Sequence, residues 1–292
     1  MKMKILITGS SGFLGKNLYE RLKRQNKIVG VDKNKSEFTD YLIDLADTKE
    51  TEGLIKIVTP DIIIHTAALS NVDYCETHRE EAYNANIQVT KNLIDGLENQ
   101  KAKFIFISSD YVYDGIRGNF NEESKPNPLN YYGKTKLEAE EIVKRYKNYL
   151  IIRPTVMFGW DEGGKNFFMQ LFQNQKEKKL MKVPIDQYSN PTYVNLLVEI
   201  IYKSILKNLT GTFIATGPET INRYDFGLKI SNVLDFDKKL ILPVKTKDLG
   251  QIAQRPLNCG TCSSKIKKAL KMRFPSLEES LINLKLSIYA KR

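Results

Sequence analysis

The sequence predicts an α/β chain, a doubly wound parallel sheet covered by helices, with a smaller substrate lobe interleaved toward the carboxyl terminus. Three observations carry this. Short apolar runs alternate with helical segments to about Phe158, the order that builds parallel strands through crossover helices. A glycine-spaced turn joins the first run to the first helix. The run that begins at Lys103 ends in hydroxyls, at the end of a strand where such sheets collect ligands.

Taken in order, Lys4 to Thr8 is a short apolar run suited to a buried parallel strand. Phe13 to Lys23 carries apolar residues at helical spacing, with Arg21, Lys23 and Arg24 near its end. Between them Gly9, Gly12 and Gly15 have the spacing GxxGxxG rather than GxGxxG. Such a loop allows a tight turn and brings a pyrophosphate to helix-terminal N–H groups. Gly9, Ser11, Gly12, Phe13 and Leu14 are therefore expected around a dinucleotide, making this a Rossmann-type site. Asp32 closes the next apolar stretch, Ile28 to Val31, where a carboxylate can accept from ribose hydroxyls, which favours NAD(H). Lys33 and Lys35 follow at once and can pair with a 2′-phosphate, so NADP(H) stays open.

The second constellation starts at the strand Lys103 to Ile107, which runs into Ser108, Ser109, Asp110 and Tyr111. Tyr132 and Lys136 stand one helical turn apart and share a face if a helix runs from Tyr132 to about Tyr146. An ammonium beside a tyrosine favours phenolate and makes the hydroxyl a workable acid or base near neutral pH. Ser109 would hold a substrate oxygen against that hydroxyl. A dinucleotide loop and a Ser-Tyr-Lys trio together point to nicotinamide redox chemistry, with NAD(P)H as cofactor.

After Gly159-Trp160 the pattern turns irregular, then returns as an amphipathic helix from Asn195 to Leu206 and a strand from Gly211 to Thr216. Residues 1–158 and 191–216 are accordingly assigned to the cofactor domain, and 159–190 and 217–292 to the substrate lobe. The pocket is expected between them.

Composition narrows the function classes. The chain of 292 residues has ample apolar content for a core. Its charge of +11 is spread along helix faces and tails, as at Lys176 to Lys179 and Lys265 to Lys271, rather than interleaved with aromatics, so nucleic acid is not expected as a partner. A positive field would help to collect anionic cofactor and substrate. No stretch approaches transmembrane length, and the run near Ile5 is too short for a signal peptide, so no membrane association is expected. Cys75, Cys259 and Cys262 make no disulfide framework, and a reducing cytoplasm is the expected compartment. Cys259 and Cys262 form one CxxC without a second pair or a nearby histidine, and no metal site is expected. His65 is read as structural and His78 as part of a polar helix start.

These residues resemble the extended short-chain dehydrogenase/reductases, and within them the dTDP-4-dehydrorhamnose reductase-like branch, which in turn resembles the regulatory beta subunit of methionine adenosyltransferase. The resemblance runs along nearly the whole chain: Thr8 to Gly15, Pro60 to Ala68, Val72-Asp73, Asn86, Ile107 to Gly115, Tyr132 to Glu138, Arg153-Pro154, Asp186 to Thr192 and Arg255-Pro256. It implies that Tyr132 is the catalytic acid, that Lys136 binds the nicotinamide ribose, and that Ser109 takes the place of the usual threonine or serine. It also implies cofactor contacts from Asp44, Leu45, Ala67, Ala68, Ser108 and Pro154. Asn166 and Arg255 fall where family members meet the nucleotide-sugar, and Ser109, Asp110 and Tyr111 are expected to contact the substrate as well. Arg255 suits a diphosphate chemically, though an arginine before a proline turn also fits a surface role.

Departures sharpen the expectation. Dehydratases of the superfamily carry Asp-Glu after the active hydroxyl, whereas Asp110 is followed here by Tyr111. Epimerases tend to carry an arginine in the segment that reads Ser189 to Tyr193 here, and it is absent. The expected reaction is reduction of the C4 keto group of a deoxy sugar nucleotide, foremost dTDP-4-dehydrorhamnose. Another sugar-nucleotide reductase or epimerase, and a non-catalytic regulatory subunit, stay open, as does a homodimer.

Overall fold

The computed structural model describes residues 2–98 and 100–290. Its strands, in chain order, are β1 Lys4–Thr8, β2 Lys27–Asp32, β3 Tyr41–Leu42, β4 Ile62–His65, β5 Lys103–Ile107, β6 Tyr149–Arg153, β7 Met157–Phe158, β8 Met181–Pro184, β9 Tyr188–Ser189, β10 Thr192–Tyr193, β11 Gly211–Ile214, β12 Ile221–Asn222 and β13 Ile241–Val244. The helices are α1 Phe13–Leu22, α2 Thr48–Val58, α3 Val72–Thr77, α4 Arg79–Tyr83, α5 Val89–Gly96, α6 Tyr131–Lys144, α7 Phe167–Lys176, α8 Val194–Leu206, α9 Arg223–Leu234, α10 Ser264–Leu270 and α11 Leu277–Tyr289, with a π turn at Asn84–Gln88 between α4 and α5.

Seven strands form one sheet in the order β11-β6-β5-β4-β1-β2-β3, and every pairing is parallel. The expected doubly wound α/β class is the one observed. The order reverses between β1 and β4, and the crevice at that switch point is where such sheets take ligands. Strand interiors are almost wholly apolar because helices cover both faces. Leu14, Leu18 and Leu22 of α1 pack with Leu197, Ile200, Ile201 and Ile205 of α8 on one face. Leu54, Ile55 and Val58 of α2 join Leu93 of α5 and Val143 of α6 on the other.

Two excursions leave the sheet. Of three two-stranded pairs, β9 with β12 and β8 with β13 tie the segment after β6 to the segment after β11, while β7 with β10 closes the first excursion on itself. Between the excursions α8 and β11 return the chain to the sheet, β11 pairing with β6. This interleaving sets elements of the carboxyl-terminal region over the ends of β5 and β6.

Candidate active site

One cavity of about 560 Å³ opens at the carboxyl ends of β1, β2 and β4. The first loop contributes Gly9, Ser11 and Gly12, the end of β2 Asp32, Lys33 and Asn34, and the neighbouring loops Asp44, Leu45, Ala67 and Ala68. Gly9 has φ +66°, and a Cβ there would lie 2.7 Å from Ala67 Cα; a Cβ on Gly15 would lie 2.1 Å from Gly9 O. Only glycine permits these two approaches. Helix α1 has neither a side-chain cap nor an acid in its first turn, so its leading N–H groups are left for an anion. Backbone and charge thus fit a dinucleotide pyrophosphate. Phe13 is half-buried, and Leu14 is buried in the core beneath the loop, where it packs.

Asp32 is already engaged. Its Oδ2 accepts from Ser11 N at 3.1 Å and Ser11 Oγ at 2.7 Å, and its Oδ1 from Asn34 N at 2.9 Å and Asn34 Nδ2 at 3.2 Å. The carboxylate therefore ties the glycine loop to the turn after β2, while Lys33 and Asn34 remain on the cavity wall. Asn34 is a residue that motif reading missed; its signal is local, an amide two residues after a strand-ending aspartate.

A second cavity, of about 550 Å³, lies over the ends of β5 and β6. Ser108, Ser109, Asp110, Tyr111, Tyr132 and Pro154 line it together, although they come from three separate stretches of chain. The two cavities adjoin, Leu69 lining one and Ser70 the other. Asn130 caps α6 by accepting from Gly133 N at 2.9 Å, so the helix starts at Tyr131, one residue before the expected Tyr132. Gly133 is required there, because a Cβ would come within 2.2 Å of Tyr111 O. That close approach seats Tyr132 on the cavity wall beside Ser109, near enough for the serine hydroxyl to act on its phenol.

The electrostatics differ from the expectation. Burial raises the Tyr132 phenol above its ordinary value, with the Ser109 hydrogen bond acting the other way. Burial also lowers the Lys136 ammonium to about 7, against the pull of Glu140. The Lys136 Nζ sits over the Phe106 ring, 4.2 Å from its centroid. Desolvation outweighs charge because the same helix buries Lys136 and half-buries Tyr132. Asp110 is pushed up to about 6 by burial, opposed by hydrogen bonds from Thr155 Oγ1 (2.6 Å) and Ser109 Oγ (3.1 Å).

A buried ion pair supports the trio. Glu140, one turn beyond Lys136, accepts from Arg153 Nε at 2.8 Å and from Ser108 Oγ at 2.5 Å, and Arg153 Nη1 donates to Tyr113 Oη at 2.8 Å. Glu140 continues the four-residue spacing of Tyr132 and Lys136, a signal that was available in the sequence. His65, which also packs against Phe106, is neutral, its pKa lowered to about 3 by burial and by the nearby Lys136. Thr90 Oγ1 donates to Asn86 O at 2.7 Å and so accepts from His65 Nε2 at 3.1 Å. His65 Nδ1 then accepts from Thr8 Oγ1 at 2.7 Å, whose oxygen accepts from Ala67 N at 3.3 Å. His65 thereby holds Thr8 and, through it, the Ala67 edge of the dinucleotide cavity.

Arg255 and Asn166 have other partners. Arg255 lines the second cavity but pairs with Asp73 of α3, and Asn166 caps α7 by accepting from Met169 N at 3.3 Å, while its neighbours Lys165 and Phe167 line the wall. Arg223, at the start of α9, also faces this cavity and belongs to no motif. Cys259 is buried, Cys262 half-buried, and both are free thiols. No helix among the described residues is long and apolar enough to cross a membrane.

Residues 3–287 match the RmlD substrate binding domain family. A solved dTDP-4-dehydrorhamnose reductase from Bacillus anthracis, in complex with NADP, superposes with a TM-score of 0.91 at 31% identity, covering 98% of this chain and 100% of its own. The dTDP-4-dehydrorhamnose reductase of Aggregatibacter actinomycetemcomitans is 27% identical over 97% of this chain and 98% of its own length. The methionine adenosyltransferase 2 subunit beta of Danio rerio is 28% identical over 87% of this chain and 81% of its own length.

Proposed function

The chain belongs to the RmlD substrate binding domain family, and on that premise we propose that it is an NAD(P)H-dependent oxidoreductase that reduces dTDP-4-dehydrorhamnose at C4 to dTDP-rhamnose. The observation that carries the reading is the placing of Ser109 and Tyr132 together in the wall of a cavity that adjoins the dinucleotide crevice.

The nicotinamide supplies the hydride when bound. The chain supplies the rest. Gly9, Ser11, Gly12 and the open end of α1 bind the pyrophosphate, Asp44, Leu45, Ala67 and Ala68 flank the adenosine half, and Ser108, Lys136 and Pro154 face the nicotinamide half. Ser109 orients the substrate carbonyl, and Tyr132 gives a proton to its oxygen as charge develops there. A phenol held protonated by burial suits an acid, since its proton is present throughout the neutral range. Lys136 stabilises the phenolate left behind. Asp110 and Tyr111 contact the sugar. Residues 1–158 and 191–216 form the cofactor domain and 159–190 and 217–292 the substrate lobe, a division supported by the return of α8 and β11 to the sheet. Free thiols support a reducing, cytoplasmic setting.

The test is oxidation of NADH or NADPH across a panel of 4-keto sugar nucleotides, with the product identified by NMR. Turnover of none of them would overturn the reading. The likeness to the methionine adenosyltransferase subunit favours a second reading as a non-catalytic regulatory partner. Co-purification with a synthetase, together with absent turnover, would select it.

A further inference from the structure

The substrate cavity holds two arginines whose situations are opposite. Arg255 spends its fork inside the protein: Nη1 meets Asp73 Oδ1 at 2.9 Å and Ala253 O at 2.7 Å, and Nη2 meets Asp73 Oδ2 at 2.9 Å. Its charge is matched by a carboxylate at hydrogen-bond distance. The guanidinium of Arg223 lies 5.0 Å from the centroid of the Phe167 ring and makes no hydrogen bond or ion pair among the described residues.

Arg223 comes from α9 and faces the wall that carries Asp110 and Tyr111. The field of Asp110 reaches it, but that carboxylate already accepts from Thr155 and Ser109. Lys165 and Lys182 line the same cavity, and neither forms an ion pair among the described residues. Three cations without a carboxylate partner thus share one cavity with a single buried carboxylate, Asp110. Arg223 is half-buried, and partial desolvation of its guanidinium, with repulsion from Arg255, lowers its pKa below the ordinary value, as for a charge without a bonded counter-ion. Such a charge is costly until an anion joins it.

We propose that Arg223 is the arginine that binds the substrate diphosphate, and that Arg255 is a brace that holds the cavity wall to α3. A planar guanidinium with free donors matches paired phosphate oxygens, whereas one already held by a carboxylate would have to exchange partners first. The assignment deepens the sugar-nucleotide reading given above and rests on it. Lys165 and Lys182 add charge without directionality.

Isothermal titration with NADP⁺ saturating, so that the glycine loop is filled, separates the two arginines. The probes are dTDP, thymidine, inorganic pyrophosphate, UDP and UDP-glucuronic acid. Arg223→Gln should weaken dTDP and pyrophosphate by about 10- to 100-fold, leave thymidine unchanged and not lower Tm; Arg223→Lys should recover part of the loss. Arg255→Gln should instead lower Tm and weaken dTDP and thymidine to a similar extent. Unchanged dTDP and pyrophosphate affinity in Arg223→Gln overturns the proposal. So does a loss confined to UDP-glucuronic acid with UDP unaffected, which would mean that the arginine reads a sugar carboxylate. Pyrophosphate binding that depends on Arg223, without nucleotide binding, would uphold the anion site and sink the sugar-nucleotide reading. Failure of the wild type to bind any of the probes would sink both.

Discussion

Arg255 and Asp73 grip each other at two points, Nη1 to Oδ1 and Nη2 to Oδ2, each 2.9 Å. The pair joins the segment before Pro256 to α3, and Asp73 Oδ1 also accepts from Ala253 N at 2.9 Å. Asn130, the cap of α6, reaches the same segment by donating to Gln254 O at 2.9 Å. One strap therefore touches both the helix that carries Tyr132 and the substrate cavity. Asp73→Ala and Arg255→Ala should each cost about 1 to 2 kcal/mol in denaturant unfolding, the partial exposure of Asp73 holding the figure down. The double variant should cost less than the sum. Additive losses would show that the pair does not act as a unit.

Tyr132→Phe should retain cofactor binding and lose about 10² to 10⁴-fold in turnover, as for a removed general acid. Fluorescence titration with NADPH and steady-state rates check the two halves separately. Lys136→Met should damage both, and near wild-type turnover in either variant would remove the trio from the chemistry.

Asp32→Ala should shift preference toward NADPH relative to NADH, because a negative charge leaves the neighbourhood of Lys33 and Asn34. It should also lower Tm, since Ser11 and Asn34 lose their acceptor. The ratio of the two dissociation constants and a melting curve are the readouts. A changed Tm with an unchanged ratio would make Asp32 a purely structural clasp.

His65 gives the stability a defined slope with pH. Its folded pKa, about 3, lies below its ordinary value of 6.5, so between these values the unfolded chain binds the extra proton. Stability should fall as pH drops through 6.5 toward 3, and His65→Gln should flatten that part of the curve while lowering the stability near pH 7. Urea midpoints measured from pH 4 to pH 8 give the comparison.

Arg153→Met should destabilise by about 3 to 5 kcal/mol, because Glu140 is left buried and charged. Arg153→Met combined with Glu140→Leu should recover much of that loss in unfolding midpoint, though not the turnover, since Ser108 and Lys136 lose a partner. Full recovery of both would remove the pair from the support of the site.

The sequence by itself determined the parallel α/β class, the glycine turn, Asp32 at the end of β2 and the placing of Tyr132 and Lys136 on one helix. All of these are local: a strand period, a helix period and a turn that only glycine can make are written in adjacent residues. Glu140 was legible on the same grounds, four residues beyond Lys136. Tertiary structure alone decided the rest. It brought Arg223, from a helix with no motif, to the cavity of Tyr132, gave Arg255 to Asp73, turned Asp32 toward Ser11 and Asn34, and made burial rather than charge set the direction of the Tyr132 and Lys136 shifts. Which donor reaches which acceptor, and how much water either keeps, depends on distances between segments far apart in the chain, and those exist only once the sheet has closed over its helices.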